Sequence, residues 1–180
     1  MDKIKAVDIE IAVAQLFNPR VNLIVPNVHW GFDVHECDLL IVSKSGYATE
    51  VEIKVSAADL KKDADKKHGH NSPKIKNLYF AIPEPLLQYE EFIPKRAGII
   101  VVYDHLKTTH TSSYSSRNPV YVCRIHRSPE SVGAYKLTEK EMFAIARLGT
   151  MRIWSLKNEM SGLKDIVDEY KNNEANRGKV

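Results

Sequence analysis

The apolar residues of this chain change period several times, and each change marks an element. In residues 4–17, Ile4, Val7, Ile11 and Ala14 recur at helical spacing with Phe17 at the edge of the stripe, which predicts a helix burying that face. Glu10 falls between Ala14 and Phe17 on the same wheel, and a carboxylate on a buried face needs a partner or a cation. Asn18-Pro19 ends the helix. Val21 to Val25 and Val28 to Val34 read as two short strands. Residues 37–43 and 48–55 are rich in Leu, Ile and Val and flank Lys44-Ser45-Gly46-Tyr47, a hairpin turn. If that turn centres between Ser45 and Gly46, antiparallel partners sum to about 91, and Asp38 lies opposite Glu52 or Ile53.

A helix follows over 56–67, with Ser56 as N-cap and Asp59 at the capping-box position. Leu78 to Ile82 is a strand stopped by Pro83, residues 84–92 a short helix, and Gly98 to Tyr103 an apolar run expected as a central buried strand. Residues 104–118 turn polar and read as a loop, with His105, Lys107, His110 and Arg117 available to close over a ligand. Tyr121 to Ile125 is a further strand. Two helices are expected at the end, 138–148 behind a Thr138–Glu141 capping box and about 159–170, with Ile153, Trp154 and Leu156 packing between them. Tyr79, Phe80, Tyr103 and Tyr121 lie on strands and read as core; the surroundings of Trp30 stay open.

A chain of 180 residues with 43% hydrophobic content fits one domain with a real core. The expected division is a core over 1–135 and a helical extension of it over 136–180. A net charge of +3 permits a nucleic-acid partner without demanding one. Cys37 and Cys123 form no CxxC pair, which argues against zinc ribbons and disulfide frameworks and favours a reducing, cytoplasmic setting. No apolar run is long enough to span a bilayer, and the N-terminal residues carry no secretory pattern. No GxSxG, GxxxxGK[ST] or GxGxxG occurs.

The chemistry concentrates on Asp38 and the triplet Glu52-Ile53-Lys54. Glu52 and Lys54 are two apart on a strand, so they share a face, and Asp38 would stand about 5 Å away across the ladder. Two carboxylates offer hard oxygen ligands to Mg²⁺, with Mn²⁺ as a substitute. Such an ion offsets the negative charge that shields a phosphodiester and lowers the pKa of a bound water. Lys54 would hold the attacking water or stabilise charge on the phosphate. An acid and a base at i and i+2 are often only a solvated strand face; the added Asp38 and the inward Glu10 distinguish this set. Glu50 shares the face of Glu52 and Lys54; it reads as solvated, with metal ligation as the alternative.

On these residues the chain resembles the PD-(D/E)xK nuclease superfamily, the restriction-endonuclease-like and Holliday-junction-resolvase-like enzymes. The carriers are Asp38, Glu52-Ile53-Lys54, the Ser-capped basic helix after them and Glu10 on the preceding helix, over roughly residues 4–103. Cys37 stands where the family has proline. The resemblance implies an αβββαβ core, a mixed β-sheet flanked by helices, with additional C-terminal helices. It implies metal ligation by Asp38, Glu52 and the Ile53 carbonyl. Glu10 would contact that ion, a second ion or its water. The implied activity is Mg²⁺-dependent DNA hydrolysis by an endonuclease of repair, recombination, restriction or phage DNA metabolism. A homodimer is a further partner it allows. A protein that keeps the fold as a catalytically silent DNA-binding or scaffold module is the alternative.

The DNA surface is expected on the helix after the triplet. Lys61, Lys62, Lys66 and Lys67, followed by His68, form the most basic stretch and would meet phosphates irrespective of sequence. A solvated charged helix is the plainer reading of such a run. His68 and His70 lack a third ligand nearby in sequence and read as surface residues. A docking role for the segment after about 135 would require an exposed apolar stripe on 139–170.

Overall fold

The computed structural model describes residues 4–28, 34–64, 70, 72–104, 121–133 and 135–177, with side chains up to Lys171. Helix α1 (Ala6–Leu16) leads into β1 (Leu23–Val28), β2 (Cys37–Val42) and β3 (Ala48–Ile53). Then come α2 (Ala57–Ala64), β4 (Ile75–Pro83), a 3-10 segment (Glu84–Phe92), β5 (Gly98–Asp104), β6 (Tyr121–Arg127) and the long helix α3 (Glu139–Arg177). The six strands form one mixed sheet in the order β1-β2-β3-β4-β5-β6. The β1/β2, β2/β3 and β5/β6 pairs are antiparallel, and β3/β4 and β4/β5 are parallel.

The β2–β3 turn is set locally. Gly46, at φ +83°, takes the left-handed conformation that glycine adopts without Cβ strain, and its N–H bonds the Ser43 carbonyl at 2.9 Å. Leu39 faces Val51 and Leu40 faces Glu50, a sum one below the expected value. Counted on, the register sets Asp38 beside Glu52, as the hairpin arithmetic required.

Strand alternation divides the core into two faces. Leu39, Ile41, Val51, Tyr79, Ala81, Ile100 and Val102 pack with Ile9, Ala12 and Val13 of α1. On the other face one cluster joins Val25, Leu40 and Ala48 to Ile145 and Leu148 of α3. A second joins Leu78, Phe80, Ile99 and Val101 to Leu60 of α2 and Ile93. The sheet is thus sandwiched between α1 and the remaining helices.

Several expectations need correction. The buried face of α1 is Ile9, Ala12 and Val13, while Val7 and Ile11 are exposed. Both stripes are apolar in sequence, and only the position of the sheet chooses between them. The strand expected over Val21 to Val25 runs instead from Leu23 to Val28 as β1, and the one expected over Val28 to Val34 falls mostly on residues 29–33, Trp30 among them, which lie outside the described set. The two C-terminal helices are one, and Ile153, Trp154 and Leu156 are exposed rather than packed. The polar loop with His105, Lys107, His110 and Arg117 also lies outside the described residues. Among the described residues no helix is long and apolar enough to cross a membrane.

Candidate active site and its buried charge network

The side chains of Glu50 and Glu52 leave β3 on the face away from α1, and Lys54 follows just past the strand end. On the neighbouring strands Leu40 and Leu78 flank Glu50, and Phe80 stands beside Glu52. Apolar residues would ordinarily fill these positions. Glu50 is fully buried, Glu52 is 2% exposed and Lys54 8%, and burial of such groups is costly unless each is paired.

The pairing is dense. Lys54 Nζ donates to Glu52 Oε2 at 2.7 Å and lies 2.9 Å from Asp63 Oδ1 on α2. Asp63 Oδ2 accepts from His70 Nε2 at 2.7 Å, and His70 Nδ1 meets Glu50 Oε1 at 2.7 Å. His35 Nε2 lies 2.8 Å from both oxygens of Glu50. His70 therefore stands between two carboxylates, which only accept, so both ring nitrogens must carry protons. Burial pulls the His70 pKa down, but hydrogen bonds to Asp63 and Glu50, with the charges of Glu50 and Glu52, outweigh it and push it up to about 9. For Lys54 burial likewise works downward, and Glu52 and Asp63 reverse it, holding the ammonium charged. Burial raises the Glu50 carboxyl, yet His35 and His70 bring it below its ordinary value. His70 adopts a left-handed backbone, φ +55°, and its carbonyl accepts from Arg96 Nη2 at 2.8 Å.

At the end of the β2–β3 pair, Asp38 Oδ2 accepts from the Ile53 N–H at 2.7 Å, while the next amide, Lys54 N, donates across to Ala81 O on β4 at 3.0 Å. Asp38 thereby takes the place of a backbone acceptor where the strands part. Glu10 of α1 is half-buried nearby; burial, then the charge of Asp38, raises its pKa.

The expected residues divide into two groups. Glu10 and Asp38 interact with each other, and Asp38 with Ile53; Glu52 and Lys54 form an ion pair that recruits Asp63. Lys61 and Lys62 are solvent-exposed on α2, Lys61 with its ammonium 5.2 Å from the Phe92 ring centroid. Lys66, Lys67 and His68 lie outside the described residues. Glu50 is buried and paired, not solvated, and His70 is 2% exposed, not a surface residue. Asp63 and His35 were missed altogether as site residues. Asp63 had a legible signal, since it lies three positions after buried Leu60 on one helix face; His35 had none. Cys37 is buried, and burial together with Glu50, Glu52, Asp38 and Glu36 keeps its thiol protonated, which disfavours a nucleophilic role.

Two sets of potential ligand atoms lie within 4.8 Å of one another among the described residues: His35, Glu50 and His70, and Glu52, Asp63 and His70. Glu10 and Asp38 belong to neither set; they lie near enough for the charge of Asp38 to raise the Glu10 pKa, and like Glu52 they offer carboxylate oxygens, the type a hard divalent cation selects. A cation there would also relieve the repulsion between Glu10 and Asp38.

The chain matches no family model and no curated protein. In structure it is similar to a protein of unknown function from Silicibacter pomeroyi, with a TM-score of 0.57 and 16% identity over 92% of this chain and 94% of that one. The likeness is one of fold alone. It accords with a mixed α/β sheet domain bearing a C-terminal helix.

Proposed function

We propose that the chain is a metal-dependent nuclease of the restriction-endonuclease-like class, cleaving DNA phosphodiesters endonucleolytically with Mg²⁺ or Mn²⁺. The observation that carries the reading is the bond of Asp38 to the Ile53 amide where β2 and β3 part, with Glu10 near enough to feel the Asp38 charge and the separate Glu52–Lys54 ion pair at the same end of β3. The order α1-β1-β2-β3-α2-β4, with β3 and β4 parallel, supports the αβββαβ assignment. Asp38 and Glu52 would hold the ion, with Glu10 and the Ile53 carbonyl as further donors. When bound, the ion supplies positive charge against the phosphate and makes a water more acidic. Asp38 is oriented by the Ile53 N–H. Lys54, kept protonated by Glu52 and Asp63, acts as a charge stabiliser toward the phosphate rather than as a base. Exposed Lys61 and Lys62 lie one to two turns into the following helix and would meet the DNA backbone.

A plasmid-nicking assay with Mg²⁺, Mn²⁺ or chelator tests this. Nicking should require the metal and fall by about 100-fold or more in Asp38→Asn and Lys54→Ala. The competing reading, a silent DNA-binding module, draws on the internal pairing of Lys54 with Glu52 and Asp63. DNA binding without nicking of supercoiled, linear, branched or single-stranded substrates would select it.

A further inference from the structure

Among the described residues, helix α3 anchors to the domain only through its first turns. Ile145 and Leu148 are buried against β1 and β2, and Arg152 Nη2 donates to Asn27 O at 3.0 Å. From residue 153 to Lys171 every side chain is exposed. This bare stretch is not polar all round, as a solvated helix would be. Ile153, Leu156, Met160, Leu163, Val167 and Tyr170 are each 48–67% exposed, and their spacing is three, four, three, four, three. That is the a/d alternation of a coiled-coil seam. Among the described residues none covers it.

We infer that this stripe pairs, parallel and in register, with the same stripe of a second copy of the chain, forming a two-stranded coiled coil. Composition selects the occupant and its orientation. The a positions hold Ile153, Met160 and Val167 and the d positions Leu156, Leu163 and Tyr170; β-branched residues at a with leucine at d favour parallel dimers over higher oligomers. The flanking charges agree. The e positions are Lys157, Lys164 and Lys171, and Glu159 is at g. In a parallel pair Glu159 of each copy faces Lys164 of the other, whereas an antiparallel pair would set the lysines against one another. Arg152, the g residue that would face Lys157 across a parallel seam, is directed to β1 by its bond to Asn27.

The size is sufficient. Eighteen residues of helix span about 27 Å. Six half-bare side chains from each copy allow a symmetric pair to bury on the order of 1,000 Å² over both copies together, the lower end for a specific interface. The inference is independent of the nuclease reading, since none of these residues lies in the candidate site.

Sedimentation equilibrium of the full chain tests it. The expected mass is twice the 20.5 kDa of one chain. Leu156→Glu combined with Leu163→Glu should weaken dimerisation by on the order of 100-fold or more while leaving the thermal unfolding of the sheet domain in place, because both side chains are exposed in the single chain. Under mild oxidation Leu156→Cys should cross-link to itself, and Asn158→Cys, on the far side of the helix, should not. A monomer at about 100 µM, including one that instead captures a different protein, overturns the inference. So does a dimer indifferent to the double substitution. A dimer in which Leu156→Cys fails to self-link overturns the parallel arrangement.

Discussion

Replacing His70 with alanine is the sharpest probe of the buried network. The imidazolium bonds Glu50 and Asp63, each at 2.7 Å, and both carboxylates are at least nine-tenths buried. Removing it takes away two charge-assisted hydrogen bonds, each about 1.5–3 kcal/mol. It leaves Glu50 with His35 and Asp63 with Lys54, so neither acid is orphaned and the loss should stay near the range for breaking a buried pair, about 3–5 kcal/mol. Relief of the left-handed backbone at position 70 does not follow, because alanine is no better suited to it. For a domain of this length the melting temperature should fall by roughly 6–20 °C. Urea unfolding followed by circular dichroism, in chelator so that no bound metal contributes, measures the change. A loss below about 1 kcal/mol with an unchanged slope would refute the claim that His70 balances these acids. A cycle with Glu50→Gln then isolates the pair: the two losses should fall short of additivity by at least about 1 kcal/mol.

Gly98→Ala should destabilise by about 1–3 kcal/mol or more in the same unfolding assay. A Cβ there would come within 2.5 Å of the Tyr79 ring and 2.8 Å of the Arg127 carbonyl, and Tyr79 is held edge-on by Phe17. Glu141 governs part of the acid response. A hydrogen bond from Tyr135, then the Thr138 backbone N–H, lowers its pKa to about 2. A depressed carboxylate stabilises the fold fully above its unfolded value near 4.5, and that contribution is lost as pH falls toward 2. The stability difference between wild type and Glu141→Gln should therefore shrink across this window; a constant difference would count against the assignment.

Strand periods, the tight turn and the helix caps written in the sequence survive folding. Period-two patterns located the described strands apart from the true extent of β1, the Thr138–Glu141 capping box forms in full, and Ser56 caps α2 through its hydroxyl, which accepts from the Asp59 N–H and donates to the Asp59 carboxylate. The hairpin's length alone brought Asp38 to the Glu52–Ile53 end of the next strand. These features depend on residues a few positions apart or joined by one tight turn, so the chain encodes them directly. The rest required the crossover from β3 through α2 to β4. That crossover sets His70 against Glu50, twenty residues earlier, and against Asp63; no spacing in the sequence expresses these meetings, although the place of Asp63 on the Leu60 face of α2 signalled that it turns inward. Likewise Ile9 and Ile11 are equally apolar, and only the sheet's position buries one and exposes the other. The seam on α3 is plain as a pattern, but the sequence alone could equally have folded it against its own domain. The direction in which α3 leaves β1 keeps the seam clear of the other described residues, because hydrophobic spacing records that a surface must be covered and tertiary packing determines what covers it.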